Sequence, residues 1–245
     1  MKKPEKVEAL FEILNECDIH SDSNYKTIVF SDTLLAYNLH SDLSPDSKVT
    51  EVMFLIELVH DIAHRLTGLD IFFRAVITEG EFKHTQLTNF DSYFGQALVA
   101  THDLESKLPG FGLYLTDEID LLNKYYPSTP CGSNLHFSFL AYDLLKSNML
   151  GEFTTDYPRD PLDTMWEEAG IQERVLFQIE YLKKIYQGKS HPKIHVRAKY
   201  DNVWALYGEK DSLLIKTLVD SNFDPMSLCE IDWSSAQEHL KNQIN

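Results

Sequence analysis

The sequence is short of positive charge and of cysteine. Its 22 lysines and arginines are outnumbered by 38 aspartates and glutamates, which gives a formal net charge of −16. Because there is no basic surplus to neutralise phosphates, we expect no nucleic-acid partner, although a metal ion could still bring positive charge to a nucleotide. The three cysteines, Cys17, Cys131 and Cys229, are odd in number and widely spaced. This pattern indicates reduced thiols in a cytoplasmic protein.

Long apolar runs and several enzyme signatures are also missing. No run is long enough to cross a bilayer, and the N-terminal segment MKKPEKVEALFEILNE lacks the apolar core of a signal peptide. We therefore expect a soluble, cytoplasmic protein without a membrane partner. The chain contains no Gly-x-x-x-x-Gly-Lys phosphate loop, no Gly-x-Ser-x-Gly elbow and no Cys-x-x-Cys pair. It thus lacks the signatures of the enzyme classes that depend on them.

The apolar content is sufficient for a substantial core. Hydrophobic residues make up 43% of the 245 residues and aromatic residues 12%, which suits one large domain or a domain with an appendage. Apolar residues at helical spacing predict a short helix over 7–16 and a longer one over 49–66, with Gly68 placed to end it. Between these helices, β-favouring runs at 25–30 and 33–38 predict a hairpin with a short turn.

The rest of the chain predicts further strands and then mainly helices. The segment IFFRAVITEGEFKH predicts two strands around a tight turn at Glu79-Gly80, and FGLYLTDEI predicts another strand. Further helices are predicted over 94–107, 135–150, 162–186 and 194–207. We therefore expect an α+β fold with helices on one face of a largely antiparallel sheet. The sheet would be formed by residues 1–123, and residues 124–245 would form a helical extension packed on it.

Two charged residues stand out within β-favouring segments. Asp32 lies at the predicted hairpin turn, where a carboxylate could hold a divalent cation or could serve the turn itself. Arg74 falls within an apolar strand, where it could bind phosphate in a bidentate way or belong to a structural ion pair. Glu105, on the helix predicted after Gly95, could be a buried anchor or a solvated helix charge.

A second kind of metal chemistry is also open. His60 and His64 are four residues apart on the predicted second helix, with Asp61 between them. Two histidines at this spacing can share a zinc ion, as in His-Glu-x-x-His hydrolases. A third ligand is not obvious, although His84, His102 and His136 are available. Because His60 borders the apolar stripe of the helix, packed core histidines are the alternative interpretation.

The C-terminal half carries many aromatic residues and one basic cluster. The aromatic residues occur at helix-packing spacing, so we interpret them as core or dimer contacts and not as a platform for stacking bases. Lys183, Lys184 and Lys189 form the basic cluster within the acidic chain. We interpret it as a solvated face.

Four segments in different parts of the chain share a recognisable order. They read KTIVFSDTLL, FRAVITEGEFKH, FGQALVATHDLESK and RAKYDNVWALY. Together they resemble bacterial class III nucleotidyl cyclase-like proteins, in particular the branch that includes the pyrimidine cyclases of anti-phage defence. That branch carries a Phe-Ser-Asp hairpin, an arginine-led strand ending in Thr-x-Gly, and a Phe-Gly-x-Ala-Leu-Val helix followed by Leu-Glu. The resemblance covers roughly residues 7–120 and 194–208.

This resemblance implies a fold, a reaction and roles for three residues. The fold would be a ferredoxin-like core that forms a head-to-tail homodimer with its sites at the interface. The reaction would convert a nucleoside triphosphate to a 3′,5′-cyclic nucleotide and pyrophosphate with Mg²⁺ or Mn²⁺. Asp32 would bind the metal and Arg74 the triphosphate. Lys26 would help to recognise the base, with a plain surface lysine as the alternative.

The sequence also departs from the cyclase pattern. The family's first strand, which bears another metal-binding aspartate, has no counterpart before the first predicted helix, and we expect either an upstream start or a rearranged sheet. Val99 and Asp103 stand where many members carry asparagine and arginine. Pro109-Gly110-Phe111 replaces a Pro-Arg-Ile strand start. A catalytically inactive homologue that binds nucleotide or serves as an interaction module is therefore an alternative to an active cyclase.

Overall fold

Strands in groups of one to three are separated by helices along the chain as far as Ser138, and the described elements after it are helical. A computed structural model describes residues 3–17, 19, 24–30, 33–40, 42–149 and 170–238. The helices are α1 (Lys3–Asn15), α2 (Pro45–Thr67), α3 (Gln96–Glu105), α4 (Asp117–Asp120), α5 (Asp143–Met149), α6 (Ile171–Gly188), α7 (Ile194–Lys210) and α8 (Ser212–Asp220), followed by a 3₁₀ turn at Pro225–Ser227. The strands are β1 (Tyr25–Phe30), β2 (Thr33–Asn38), β3 (Arg74–Ile77), β4 (Lys83–Gln86), β5 (Asp91–Phe94), β6 (Gly112–Thr116), β7 (Ser128–Pro130) and β8 (Leu135–Ser138). The protein is therefore a mixed α+β fold, as the sequence predicts.

The strands form one four-stranded sheet and two separate hairpins. The sheet has the order β3-β6-β8-β7, in which β3 and β6 are parallel and the other two pairs are antiparallel. The crossover from β3 to β6 contains hairpin β4–β5 and helix α3. Hairpin β1–β2 pairs only within itself. The main sheet is thus mixed, whereas a largely antiparallel one was expected.

The main core lies between this sheet and the long helices. Every residue of β6 is buried, since the strand has a neighbour on each side. The apolar cluster around it includes Ile56 of α2, Leu182 of α6 and Leu218 of α8. Burial of apolar surface contributes roughly 25 cal/mol per Å² to the free energy of folding. The same core therefore joins the first and second halves of the chain.

Helix α2 is shared between two cores. Ile56 and Ala63 belong to the main core, whereas Leu58 and Ile62 pack into a smaller cluster with α1 and hairpin β1–β2. The helix begins where Ser44 Oγ accepts a hydrogen bond from the Ser47 amide at 3.2 Å, an N-cap interaction. Apolar residues on two opposite faces explain why α2 is buried through most of its second half.

The hairpin and the long second helix confirm two sequence predictions. Strands β1 and β2 have the predicted bounds, and their last pair is Phe30–Thr33. Helix α2 contains the predicted 49–66 segment and ends before Gly68. It begins earlier than predicted because Pro45 is well suited to the first helical turn.

The predicted helix over 135–150 is wrong in its first part. Leu135–Ser138 forms strand β8, which pairs with β6 on one side and β7 on the other. Leu135 and Phe137 alternate with the half-buried His136, a period of two that is typical of strands. Strands β7 and β8 also belong to the segment predicted as a helical extension. A domain boundary at residue 123 would separate them from β3 and β6 of the same sheet.

The predicted strand–turn–strand around Glu79-Gly80 is not a hairpin. Both strands exist, but β3 pairs with β6 and β4 pairs with β5. Strand β3 carries apolar side chains that pack against β6, whereas β4 is mostly polar and exposed. The more apolar β3 therefore pairs with the buried strand β6, whereas the polar β4 pairs with β5 in a separate hairpin.

The length and apolar content of the helices decide whether one of them could cross a membrane. Within those ranges, no helix is long and apolar enough to span a bilayer.

Candidate functional site

The hairpin β1–β2 presents the first candidate residues. Asp32 lies outside the described residues, between the ends of β1 and β2 in the chain. Lys26 lies on β1, is exposed, and stands opposite Tyr37 of β2. The roles of Asp32 in metal binding and of Lys26 in base recognition stay predictions.

Arg74 begins strand β3 and binds the end of helix α3. Its Nη2 lies 2.6 Å from Glu105 Oε1, and its Nη1 donates to the Glu105 carbonyl oxygen at 3.1 Å. The guanidinium therefore satisfies a carbonyl in the last turn of α3 and pairs with its last carboxylate. This is the structural ion pair that the sequence left open. Binding of phosphate by Arg74 requires Glu105 to be displaced or shared.

Gly95 precedes α3 in a conformation that favours glycine. Its φ is 153°, and a Cβ added there would lie 2.1 Å from the carbonyl oxygen of Glu81. The same carbonyl accepts a hydrogen bond from the Ala97 amide at 3.2 Å. The chain at Glu81 is thus packed directly on the start of the helix, and no side chain fits between them.

A surface groove runs along the outer face of α3 from this point. It has a volume of about 570 Å³, and its lining comprises Glu81, Phe94, Gly95, Gln96, Val99, Ala100 and Asp103. No side chain caps the start of α3, so backbone N–H groups of its first turn are free of such a partner. The groove therefore combines an apolar wall, two carboxylates and the positive end of a helix dipole.

Lys83 stands beside this groove. Its Nζ lies 3.0 Å from Glu81 Oε1 and 6.0 Å from the centre of the Phe94 ring. Lys83 was not predicted from the sequence, because a lysine in a polar strand has no distinctive pattern. Only the pairing of β4 with β5 brings it next to Phe94.

A polar and aromatic contact joins the two hairpins. Tyr37 Oη of β2 lies 2.9 Å from His84 Nδ1 of β4, and the rings of Tyr37 and Phe82 are 4.5 Å apart. His84 stacks on Tyr93 of β5 at 4.6 Å. Its Nε2 is 3.3 Å from Asp91 Oδ2, but this contact is too poorly aligned to be a hydrogen bond. Burial and the nearby Tyr93 and Asp91 raise the pKa of Tyr37, so its phenol stays protonated at neutral pH.

Arg74 and Gly95, which belong to two of the resembling segments, therefore lie at opposite ends of helix α3. Arg74 contacts the last residue of α3, whereas the groove at Gly95 opens at its first turn. These ends are separated by ten residues, or about 15 Å along a helix axis. The hairpin junction, by contrast, brings the Tyr37 end of hairpin β1–β2 next to Phe82 and His84 in the segment that leads to Gly95.

The histidines of the zinc hypothesis are buried in the interior. His60 packs on Tyr126 at 4.7 Å between ring centres, and His64 on Phe177 at 5.7 Å. Burial lowers the pKa of each histidine to about 3, with a further contribution from the neighbouring His64 for His60 and from Arg174 for His64. Asp61 is bound by Arg65, whose Nε lies 2.9 Å from Oδ1. The two histidines thus have the surroundings of core residues.

A further cluster surrounds His136 on strand β8. Its Nε2 lies 3.0 Å from Asp117 Oδ1 and its Nδ1 lies 3.1 Å from Asp120 Oδ2. Ser128 Oγ donates to the other oxygen of Asp120 at 2.6 Å. These contacts tie the short helix α4 to the edge of the main sheet. Across the described part of the chain, no group of three or more histidine, cysteine, aspartate or glutamate residues is arranged to hold a metal ion.

Comparisons with known proteins assign no family to this chain. No protein-family model matches it, and neither a curated protein nor a solved structure matches it. The resemblance to cyclase-like proteins rests on the quoted segments and their order.

Proposed function

We propose that this chain is a nucleotide cyclase-like protein that binds a nucleoside triphosphate together with Mg²⁺ or Mn²⁺. The observation that carries the proposal is the contact of Tyr37 with Phe82 and His84. This contact holds hairpin β1–β2, whose connection contains Asp32, against the segment that leads into the groove at Gly95. Phe82 and His84 belong to one of the resembling segments, FRAVITEGEFKH, and Tyr37 lies two residues after another, KTIVFSDTLL.

The lining of the groove suits the parts of a nucleotide. Phe94, Val99 and Ala100 offer apolar surface for a base. The start of α3 lacks a side-chain cap and offers a positive dipole end for phosphate oxygens, although the Ala97 amide of its first turn is already bound to the Glu81 carbonyl. Glu81 and Asp103 are hard oxygen donors, and Mg²⁺ is commonly held by one or two carboxylates together with substrate phosphates and waters. These donors fit a divalent cation.

The proposed reaction needs charge stabilisation more than covalent chemistry. The 3′-hydroxyl would lose its proton to water and attack the α-phosphorus of the same nucleotide, while the bond from that phosphorus to the bridging oxygen breaks and pyrophosphate leaves with its electrons. A divalent cation would supply positive charge when bound. Asp32 would hold that cation, Arg74 would contact the triphosphate, and Lys26 would contact the base. Such a product would serve as a signal in anti-phage defence in a cytoplasmic setting.

The proposed ferredoxin-like core and homodimer also have support. Strands β3 and β6 are parallel neighbours joined by a crossover that contains a helix, the arrangement of a βαβ unit. Hairpin β4–β5 and α3 expose the apolar side chains of Leu87, Phe90, Phe94 and Val99. We propose that two copies associate through this surface and complete each other's sites.

Product analysis with the four nucleoside triphosphates tests the function. The chain is incubated with each triphosphate and Mn²⁺, and products are identified by mass spectrometry. We expect one cyclic nucleotide, its loss in Asp32→Ala, and a decrease of at least about 100-fold in Arg74→Ala, since a charged phosphate contact is removed. Asp201→Ala is the matched control, because Asp201 is exposed on α7. Undiminished turnover in Asp32→Ala would contradict the role of this residue.

The inactive homologue is the second candidate, because Glu105 already occupies Arg74. It predicts nucleotide binding by calorimetry without product. Glu105→Gln tests the role of Arg74 under either candidate, since releasing this arginine should strengthen triphosphate binding if it faces the ligand. An absence of binding for all four nucleotides would contradict both candidates.

A further inference from the structure

Positive charge is concentrated in one short part of this acidic chain. Residues 181–200 contain six of the 22 lysines and arginines and none of the 38 aspartates and glutamates. The segment therefore carries +6 within a chain of net charge −16, which leaves −22 on the remainder. A separation of charge on this scale creates a local positive potential that attracts anionic groups.

The segment forms the tip of a helical hairpin. It comprises the end of α6, a short connection and the first part of α7. Gly188 packs so closely on Tyr200 that an added Cβ would lie 2.3 Å from its ring, which holds the two helices together at this point. Lys183 and Lys199 are each about five residues from the connection, or about 8 Å along their helices. All six cations therefore lie on one end of the hairpin.

Four of these cations have no partner within the described part of the protein. Lys184 pairs with Asp70 and Glu180, and the Nζ of Lys189 lies 5.4 Å from the centre of the Trp204 ring. The four cations with neither an ion pair nor a cation–π contact in the described residues are Lys183, Lys193, Arg197 and Lys199, which we name the basic tip. Three of the four are exposed, and Lys183 is half-buried.

Two neighbouring features add to the basic tip. Helix α7 begins at Ile194 without a side-chain cap, so the positive end of its dipole points to the same surface. Ile194 itself is 72% exposed, and Lys193 precedes it while Arg197 follows one turn later on α7. A surface of this kind offers both ionic contacts and one apolar contact.

We infer that the basic tip binds an acidic polypeptide segment that carries an apolar side chain next to its carboxylates. The exposed Ile194 matches that side chain, and the cations match the carboxylates. Aromatic rings near the tip pack on one another, with Tyr186 5.1 Å from Trp204 and 5.6 Å from Phe223. Trp204 and Phe223 are buried, so Tyr186 is the exposed ring of this group and a row of open rings for stacking successive nucleic-acid bases is not formed there. A bilayer is a broad anionic surface that would also face and repel the acidic remainder of the molecule.

Fluorescence anisotropy with three labelled probes tests this inference. The probes are a short glutamate-rich peptide containing one leucine, a single-stranded RNA of similar charge, and vesicles containing phosphatidylserine. We expect the peptide to bind most tightly, and binding to weaken as the ionic strength rises from about 0.05 to 0.2 M. No binding of the peptide, or tighter binding of the RNA or the vesicles, would overturn the inference.

Surface variants locate the binding site. Lys193→Glu with Arg197→Glu should weaken peptide binding by at least about tenfold, because two attractions become repulsions. Lys107→Glu with Lys124→Glu is the matched control, since both lysines are exposed elsewhere and the net charge changes equally. Ile194→Ser should weaken binding of the leucine-containing peptide more than binding of a leucine-free one. Equal losses in both charge variants would assign the effect to net charge and overturn the site.

Discussion

At the scale of single residues, the close packing of the backbone explains why glycine occupies position 95 at the groove. Gly95 combines a φ of 153° with a 2.1 Å approach of the Glu81 carbonyl to the position of a Cβ. The sequence shows only that a glycine precedes a helix. Neither the conformation nor the close approach follows from the sequence, because the approaching segment lies 14 residues earlier in the chain.

Substituting Gly95 by alanine tests this packing. We expect Gly95→Ala to lower the free energy of unfolding by about 1–3 kcal/mol, through backbone strain and the collision with Glu81. Gly208→Ala provides the control, since Gly208 lies within α7 and an added Cβ meets no atom within 4 Å. That control should stabilise the protein by up to about 1 kcal/mol. Chemical denaturation measures both changes, and destabilisation of equal size in the two variants would contradict the prediction.

At the scale of elements, helix α2 shows how a polar pattern can belong to a core. The spacing of His60 and His64 suits a metal site as well as a packed helix, so the sequence alone could not choose. The structure places both rings against aromatic side chains. Because α2 is covered on both faces, the histidines are buried and neutral at pH 7.

Acid should destabilise the protein through this helix. The pKa of His60 is about 3 in the folded state and about 6.5 when unfolded. The unfolded chain therefore binds more protons between these values, and stability falls as the pH falls from about 6.5 towards 3. One such histidine contributes about 1.4 kcal/mol per pH unit in this window. The stability contributed by the neutral His60 is therefore fully present only above the pKa of the unfolded state.

Replacement of His60 isolates this contribution from that of the carboxylates. The free energy of unfolding is measured from pH 7 to pH 4 for the parent chain, His60→Gln and His102→Gln. We expect a shallower slope in His60→Gln, by about 1.4 kcal/mol per pH unit. The exposed His102 should leave the slope as it is. A slope unchanged in His60→Gln would show that His60 takes up no proton on unfolding in this range.

At the scale of the whole molecule, hairpin β4–β5 and α3 form an exposed apolar surface. Phe90, at the tip of hairpin β4–β5, is 63% exposed, and Val99 on α3 is 62% exposed. A stable interface buries about 800 Å² on each partner. Exposed aromatic and aliphatic side chains that lie close together are typical of such interfaces.

Light scattering after size exclusion tests the proposed homodimer. We expect the mass of two copies, and a shift towards one copy in Phe90→Glu with Val99→Glu, because charges in an apolar interface are costly to desolvate. Leu213→Glu is the control at an exposed leucine on α8. A single-copy mass for the parent chain at all concentrations, or equal dissociation in the control, would refute this interface.

The local elements of the protein were determined largely by the sequence itself. The β1–β2 hairpin and helices α2 and α7 begin and end close to their predicted limits, because residue spacing and capping act over a few neighbouring positions. Arg74 and Glu105 were both recognised as candidates, although nothing in the sequence pairs two residues 31 positions apart.

Only the tertiary structure decided which strands pair and which side chains meet. Strand β3 joins β6 and not β4, β8 replaces part of a predicted helix, and Tyr37 meets His84 across two hairpins. Each of these contacts joins segments distant in sequence, and its free energy depends on burial against a partner that local patterns do not specify. The arrangement of the groove, the hairpin junction and the basic tip follows from those long-range contacts.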